Sequence, residues 1–509
     1  MQTFLRLSVL TGIFTATILT GCGGGSSGPA ATSSGAIAAA NPTVAGPVSG
    51  GLGIFISATR FSLAEVGYKQ SEYFLSGNAE SYAPAGTLGS DGKWSVNVAG
   101  HADYKTRVVV YRPILATKFN GTVVVEWLNV SGGLDSAPDW INAHNELIRQ
   151  GYAWVGVSAQ AAGVEGGGSF GVVSLPLKKF DPTRYGSLSH PGDAYSYDMF
   201  TQAAQAVRHP KGIDPLDGLK VKKMIAAGES QSAYYMATYV NAIAPRSSLF
   251  DGFFIHSRPA GSASLSGIPL NNTATPETPD IVYIRNDSVP VLTFQTESDL
   301  FLLKSYPDMQ DDSANFRLWE VPGTSHADTY TVKGAFDKGN DPKYAEVVST
   351  TAPVPGIIDC GIPINSGPQH FVVSAAFSAL QNWLTSGVPP ASAPRMSVAG
   401  TPPAYVLDTH GNVLGGIRTP YVDVPIAKLS ANGQAGGIDG LENSGSSFCF
   451  LFGTTTMFDN ATLQSLYPDH ASYVAAVNTA TDSAVAKGYL LEADGSLIKQ
   501  SAQASTIGN

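Results

Sequence analysis

Charge is what this chain has least of. Acidic and basic side chains make up 14% of its 509 residues, against roughly a quarter in an ordinary soluble domain. The balance is acidic, 30 Lys and Arg against 40 Asp and Glu, for a net charge of -10. No basic run exists to neutralise a row of phosphates, which argues against a nucleic-acid partner. Cysteine is scarce as well, with three in all. No Cys/His cluster has the spacing of a zinc site, so no metal is expected. The apolar run at residues 7–19 is too short to be a membrane-spanning helix. Glycine (55) and proline (32), by contrast, are plentiful.

That early run has the form of a targeting segment. Arg6 is its only positive charge, and Leu19-Thr20-Gly21-Cys22 follows it. The tetrapeptide resembles the lipobox of bacterial lipoproteins, so that residues 1–22 read as a lipoprotein signal segment in which Cys22 is lipidated and becomes the mature N-terminus. An ordinary secretory signal with a chance cysteine is the alternative. A Gly/Ser/Ala-rich stretch comes next, and residues 23–50 are expected to form a flexible tether. The expected location is the bacterial cell envelope, periplasmic or surface-facing, held to the membrane by the lipid alone. Cys360 and Cys449 then remain as an even pair. In an oxidising compartment they can form a disulfide, and two buried free thiols are the alternative.

The rest of the chain is organised around Gly228-Glu229-Ser230-Gln231-Ser232. The apolar run Met224-Ile225-Ala226-Ala227 leads into it, and residues from Tyr234 onward continue at helical spacing. A serine on such a strand-to-helix corner sits on a tight turn, with its hydroxyl projecting from the carboxyl edge of a sheet. The helix N-terminus behind it favours developing negative charge. This is the construction of a nucleophile elbow, Gly-x-Ser-x-Gly, with Ser232 in place of the last glycine. The plainer alternative is a strand–helix turn with Ser230 as an N-cap.

On either side, β-type runs alternate with helical ones. Strands are expected at 94–98, 106–113, 121–129, 151–157, 250–256, 289–294 and 316–321, and helices at 137–150, 193–208 and 371–384. The first strands are of antiparallel edge type. The later alternation implies βα crossovers, and hence a mostly parallel α/β sheet with helices on both faces. Residues 51–425 form the expected core. Insertions at about 159–193 and 259–287 begin just after strands and are placed to overhang the active edge, unless they are surface decoration. Residues 426–509 are expected to pack on the core as a helical extension.

A serine hydroxyl needs a base, and the base needs an anion to fix its tautomer. With the chain order serine, acid, histidine, the acid belongs just past a later strand, where Glu297 and Asp299 compete. Asp299, three residues beyond Thr296, is preferred and Glu297 is the alternative. The base is His326, in the small-residue turn Pro322-Gly323-Thr324-Ser325-His326 after the last core strand. His256 precedes the acid and is expected to be a pocket or supporting residue. His190 and His370 have structural readings. Backbone N–H groups must face the oxyanion. Gln231 is expected to supply one, and Asn129 or Val130, ahead of Gly132-Gly133, the other.

These pieces resemble a bacterial family of the α/β-hydrolase superfamily, usually described only as an alpha/beta hydrolase domain. The resemblance rests on the elbow and on Val125-Glu126-Trp127-Leu128-Asn129-Val130-Ser131-Gly132. It extends to Tyr104-Lys105-Thr106-Arg107, Asp181-Pro182-Thr183-Arg184-Tyr185-Gly186, His190-Pro191-Gly192-Asp193 and Gly411-Asn412-Val413-Leu414-Gly415-Gly416-Ile417-Arg418-Thr419-Pro420. It covers residues 50 to 495 and implies a serine hydrolase, most often one acting on carboxylic esters, with no cofactor. The expected substrate is a small-molecule or oligomeric ester. A peptidase or amidase of the same fold is the alternative within enzymes. A non-catalytic hydrolase-like binding lipoprotein is the alternative outside them. Arg418 is expected to bind a structural rather than a substrate carboxylate.

Overall fold

The computed structural model describes residues 39–167, 174–268, 277–355, 358–434 and 448–509. Cys22 and the signal segment lie outside the described residues.

A nine-stranded sheet runs through the molecule. Its strands, in chain order, are β1 (Thr43–Ala45), β2 (Tyr68–Pro84), β3 (Val96–Pro113), β4 (Thr122–Trp127), β5 (Ala153–Val157), β6 (Lys223–Glu229), β7 (Gly252–His256), β8 (Val291–Thr296) and β9 (Phe316–Val321). Their spatial order is β1-β2-β3-β5-β4-β6-β7-β8-β9. The pairs β1–β2, β2–β3 and β3–β5 are antiparallel. From β5 across to β9 every pair is parallel. The expected mostly parallel α/β-hydrolase sheet with antiparallel N-terminal strands is therefore present.

Alternation along each strand divides the side chains between two cores. Val123, Val125, Met224 and Ala226 point to one, with Phe200 and Tyr235 from the helices Ser196–Arg208 and Gln231–Thr238. Val124, Ile225 and Ala227 point to the other, with Trp140 and Phe377 from the helices Pro138–Arg149 and Gln369–Ser386. Tyr473 and Ile498, from the C-terminal helices His470–Ala486 and Glu492–Ala504, join that second core. No helix among the described residues is long and apolar enough to cross a membrane.

Two differences from the sequence-based expectations concern the N-terminal part. The tether does not extend to residue 50, because Thr43–Ala45 pairs with Ser76, Leu75 and Phe74 of β2. The separate strands expected at 94–98 and 106–113 merge into one strand, β3, which pairs with β2 in one long hairpin. A buried ion network anchors that hairpin. Arg107 on β3 donates to Glu72 (3.2 Å) and Asp135 (2.6 Å), and Arg184 donates to the same Glu72 (2.7 Å). Tyr185 completes the group by donating to Glu72 at 2.9 Å.

Both insertions pack against the body. Leu177, Tyr185 and Leu188 of the first gather around Phe74. In the second, the Ala263 N–H donates to Tyr234 O of the elbow helix (3.0 Å). Cys360 and Cys449 are joined by a disulfide. Arg418 donates to Asp423 (2.5 Å) and to the carbonyls of Val413 and Val422 (2.6 and 2.7 Å), a structural set of partners.

Candidate active site

The carboxyl ends of β4, β6, β7, β8 and β9 lie side by side, and each delivers one part of a single site. At the end of β6 the chain turns through Ser230, whose φ is 58° and ψ -119°. A non-glycine residue persists in that strained region only where its surroundings hold it there. The hold is visible: the Ser230 N–H donates to His256 O (2.9 Å), and Ser230 O accepts from Tyr234 N (3.0 Å). Gly228 must lack a side chain, because a Cβ there would stand 3.0 Å from the Ser232 backbone. That crossing also explains why position 232 is small.

His326 reaches Ser230 from the turn after β9. Its Nε2 lies 2.7 Å from Ser230 Oγ and its Nδ1 2.7 Å from Asp299 Oδ1. A carboxylate only accepts, so the ring proton sits on Nδ1 and Nε2 is left to accept the serine proton. Burial works against the charged ring. The Asp299 hydrogen bond and the charges of Asp299 and Glu229 outweigh it, so the imidazole pKa is raised above its ordinary 6.5.

The segment 297–299 holds the histidine turn at three successive points. Glu297 accepts from Gly323 N (2.6 Å), Ser298 Oγ from His326 N (3.1 Å), and Asp299 from the ring. Thr296 and Asp299 also form a capping box, in which Thr296 N donates to Asp299 Oδ2 (2.6 Å). Glu297, the alternative acid, is turned away from the ring. Its second oxygen accepts from Ala431 N at 3.2 Å, and burial raises its pKa to about 7.

The oxyanion donors divide differently from the expectation. The Asn129 N–H donates to Ser136 O (2.9 Å), which removes it as a donor. Val130 N–H has no acceptor among the described residues. Gln231 is the first residue of the elbow helix, where N–H groups lack intrahelical partners.

His256, expected as a pocket or supporting residue, is fully buried at the end of β7. Its Nδ1 meets Asp139 Oδ1 at 2.9 Å and its Nε2 meets Gln369 Nε2 at 3.0 Å. Burial pushes its pKa down to about 4, which keeps the ring neutral. Asp139 and Gln369 are partners that no local motif announces. Glu229 is another residue with a place at the site. It lies inside the elbow motif, and its carboxylate stands 3.5 Å from His326 Nε2. Among the described residues, no group of three or more His, Cys, Asp or Glu side chains could hold a metal ion.

Several solved structures are similar over part of the chain. One is of fungal esterases from Rhizomucor miehei, at 12% identity and TM-score 0.32, covering 61% of this chain and 86% of that one. Another is an α/β serine hydrolase without lid from Xanthomonas campestris, at 17% identity and TM-score 0.27, covering 48% and 86%. A third is the rice cell wall degrading esterase of Xanthomonas oryzae, at 11% identity and TM-score 0.29, covering 55% and 90%. At such identities and scores nothing about activity follows from them. No curated protein matches. The family model described as "Alpha/beta hydrolase domain" matches residues 42–500, and the chain belongs to that family.

Proposed function

We propose that this protein is a serine hydrolase that cleaves carboxylic esters through an acyl-enzyme. The observation that carries the proposal is the continuous hydrogen-bonded line Ser230–His326–Asp299, with both links at 2.7 Å. Ser230 Oγ attacks the ester carbonyl while His326 Nε2 takes its proton. Asp299 holds the ring in the tautomer that can accept, and stabilises the imidazolium that results. The N–H groups of Gln231 and Val130 receive the charge on the former carbonyl oxygen. His326 then returns the proton to the leaving alcohol. In the second half, His326 deprotonates a water that attacks the acyl carbonyl, and Ser230 is regenerated.

The substrate is a small-molecule or oligomeric ester. The location is the cell envelope, with Cys22 lipidated and the hydrolase held at the membrane surface by a tether. Replacement of the nucleophile tests the chemistry. Ser230→Ala is expected to lower p-nitrophenyl ester turnover by about 10³-fold or more, with an unchanged circular dichroism spectrum. Retention of parental turnover would contradict the proposal. Metabolic labelling with a radioactive fatty acid tests the anchor, since Cys22→Ser must abolish incorporation.

A further inference from the structure

We infer that Glu229 is a positioning residue for His326: its carboxylate, fixed by Asn129, faces the ring nitrogen that receives the Ser230 proton and steadies the imidazolium formed there. The inference rests on the proposed serine mechanism and deepens it.

The geometry is specific. Asn129 Nδ2 donates both to the Glu229 carboxylate and to the Glu229 carbonyl, each at 3.1 Å. Asn129 Oδ1 in turn accepts from Ser131 N (2.8 Å), so the amide is oriented from both ends. The other carboxylate oxygen of Glu229 stands 3.5 Å from His326 Nε2. Ser230 Oγ is closer to the same nitrogen, at 2.7 Å. Glu229 therefore leaves the serine hydrogen bond in place and acts through its charge. Two carboxylates flank one imidazole, Asp299 beside Nδ1 and Glu229 beside Nε2. Only the second lies on the side where the proton arrives. Both are buried, so solvent and salt screen them weakly.

The surrounding charges do not cancel this role. His326, His256, Asp139 and Asp299 act electrostatically on Glu229, and Asp328 acts on His256. His256 stays neutral because burial depresses it to about 4. Burial raises Glu229 to about 7; His326 and His256 oppose the rise, while Asp139 and Asp299 add to it. The Glu229 and His326 charges favour one another across the 3.5 Å that separates them.

The test is the pH profile of kcat/KM for Glu229→Gln, run beside Ser230→Ala. Glutamine keeps the shape and an oxygen for Asn129 but removes the charge. The midpoint of the acid limb is expected to fall by roughly one pH unit, with the plateau lowered by up to about tenfold. A merely structural role would reduce the active fraction and leave the midpoint unchanged. An unchanged midpoint in a folded Glu229→Gln protein, with Ser230→Ala inactive, overturns this inference alone. An active Ser230→Ala overturns the serine mechanism and this inference with it. A second measurement reads the ring directly. In ¹⁵N-histidine-labelled protein, with the His326 ring assigned through His326→Gln, that ring is expected to titrate at a lower pH in Glu229→Gln than in the parent. An unshifted ring titration overturns the inference.

Discussion

Asp299 divides its carboxylate between two tasks: Oδ1 takes the His326 Nδ1–H at 2.7 Å, and Oδ2 takes the Thr296 amide at 2.6 Å. The second bond aims the first. Glu297, two residues earlier, spends both oxygens on backbone amides of Gly323 and Ala431. The two acids are therefore separable by experiment. Asp299→Asn can present an N–H to Nδ1 and so favours the wrong ring tautomer. Turnover is expected to fall by about 10⁴-fold, the loss known for the equivalent change in a serine protease, with thermal stability nearly kept. Glu297→Gln leaves one buried amide without an acceptor. It is expected to lower stability by about 1–3 kcal/mol while the surviving folded fraction turns over normally. Kinetics and thermal melts on both variants check the division.

The ion network under the long hairpin gives a prediction about stability. Arg107 is fully buried and bonds Glu72, Asp135, Ser158 and the Phe55 carbonyl. Removing it leaves the buried Asp135 carboxylate without its guanidinium and takes one of two from Glu72, which keeps Arg184, and this is expected to cost about 3–5 kcal/mol. Arg107→Met should show that loss in urea unfolding. A change below about 1 kcal/mol would mean that the network is not a structural strut.

The Cys360–Cys449 disulfide closes a long loop beside the histidine turn. Ala327 N, next to His326, donates to Leu451 O (3.1 Å), two residues past Cys449. Loss of the bond is expected to destabilise the fold by about 2–5 kcal/mol. Turnover is expected to fall at temperatures below the main unfolding transition, because the turn loses support first. Cys360→Ser/Cys449→Ser, assayed from low temperature through the melt, checks both parts.

The sequence shows some of this directly and conceals the rest. Phe316–Val321 is a strand at the expected residues because Phe316, Leu318, Trp319 and Val321 make it mainly apolar and Pro322-Gly323 ends it. Ser230, Asp299 and His326 come together because the order of strand ends along a parallel sheet is written in the chain. The long hairpin is not legible. Polar residues such as His101, Asp103 and Lys105 interrupt any apolar pattern on β3, and its pairing with β2 supplies what propensity does not. Arg107 and Arg184 each stand in a motif of their own. That both reach Glu72 is a long-range fact with no local signal. The same holds for Asn129. Its backbone amide is committed to Ser136, a pairing that only the folded loop reveals.

The most direct test of the account is to find which side chain a fluorophosphonate modifies. The untreated full chain should take up one equivalent, and peptide mass spectrometry should place it on Ser230. Reaction should slow sharply in His326→Ala. An adduct on another residue, or ester hydrolysis that continues with Ser230 unmodified, would contradict the account.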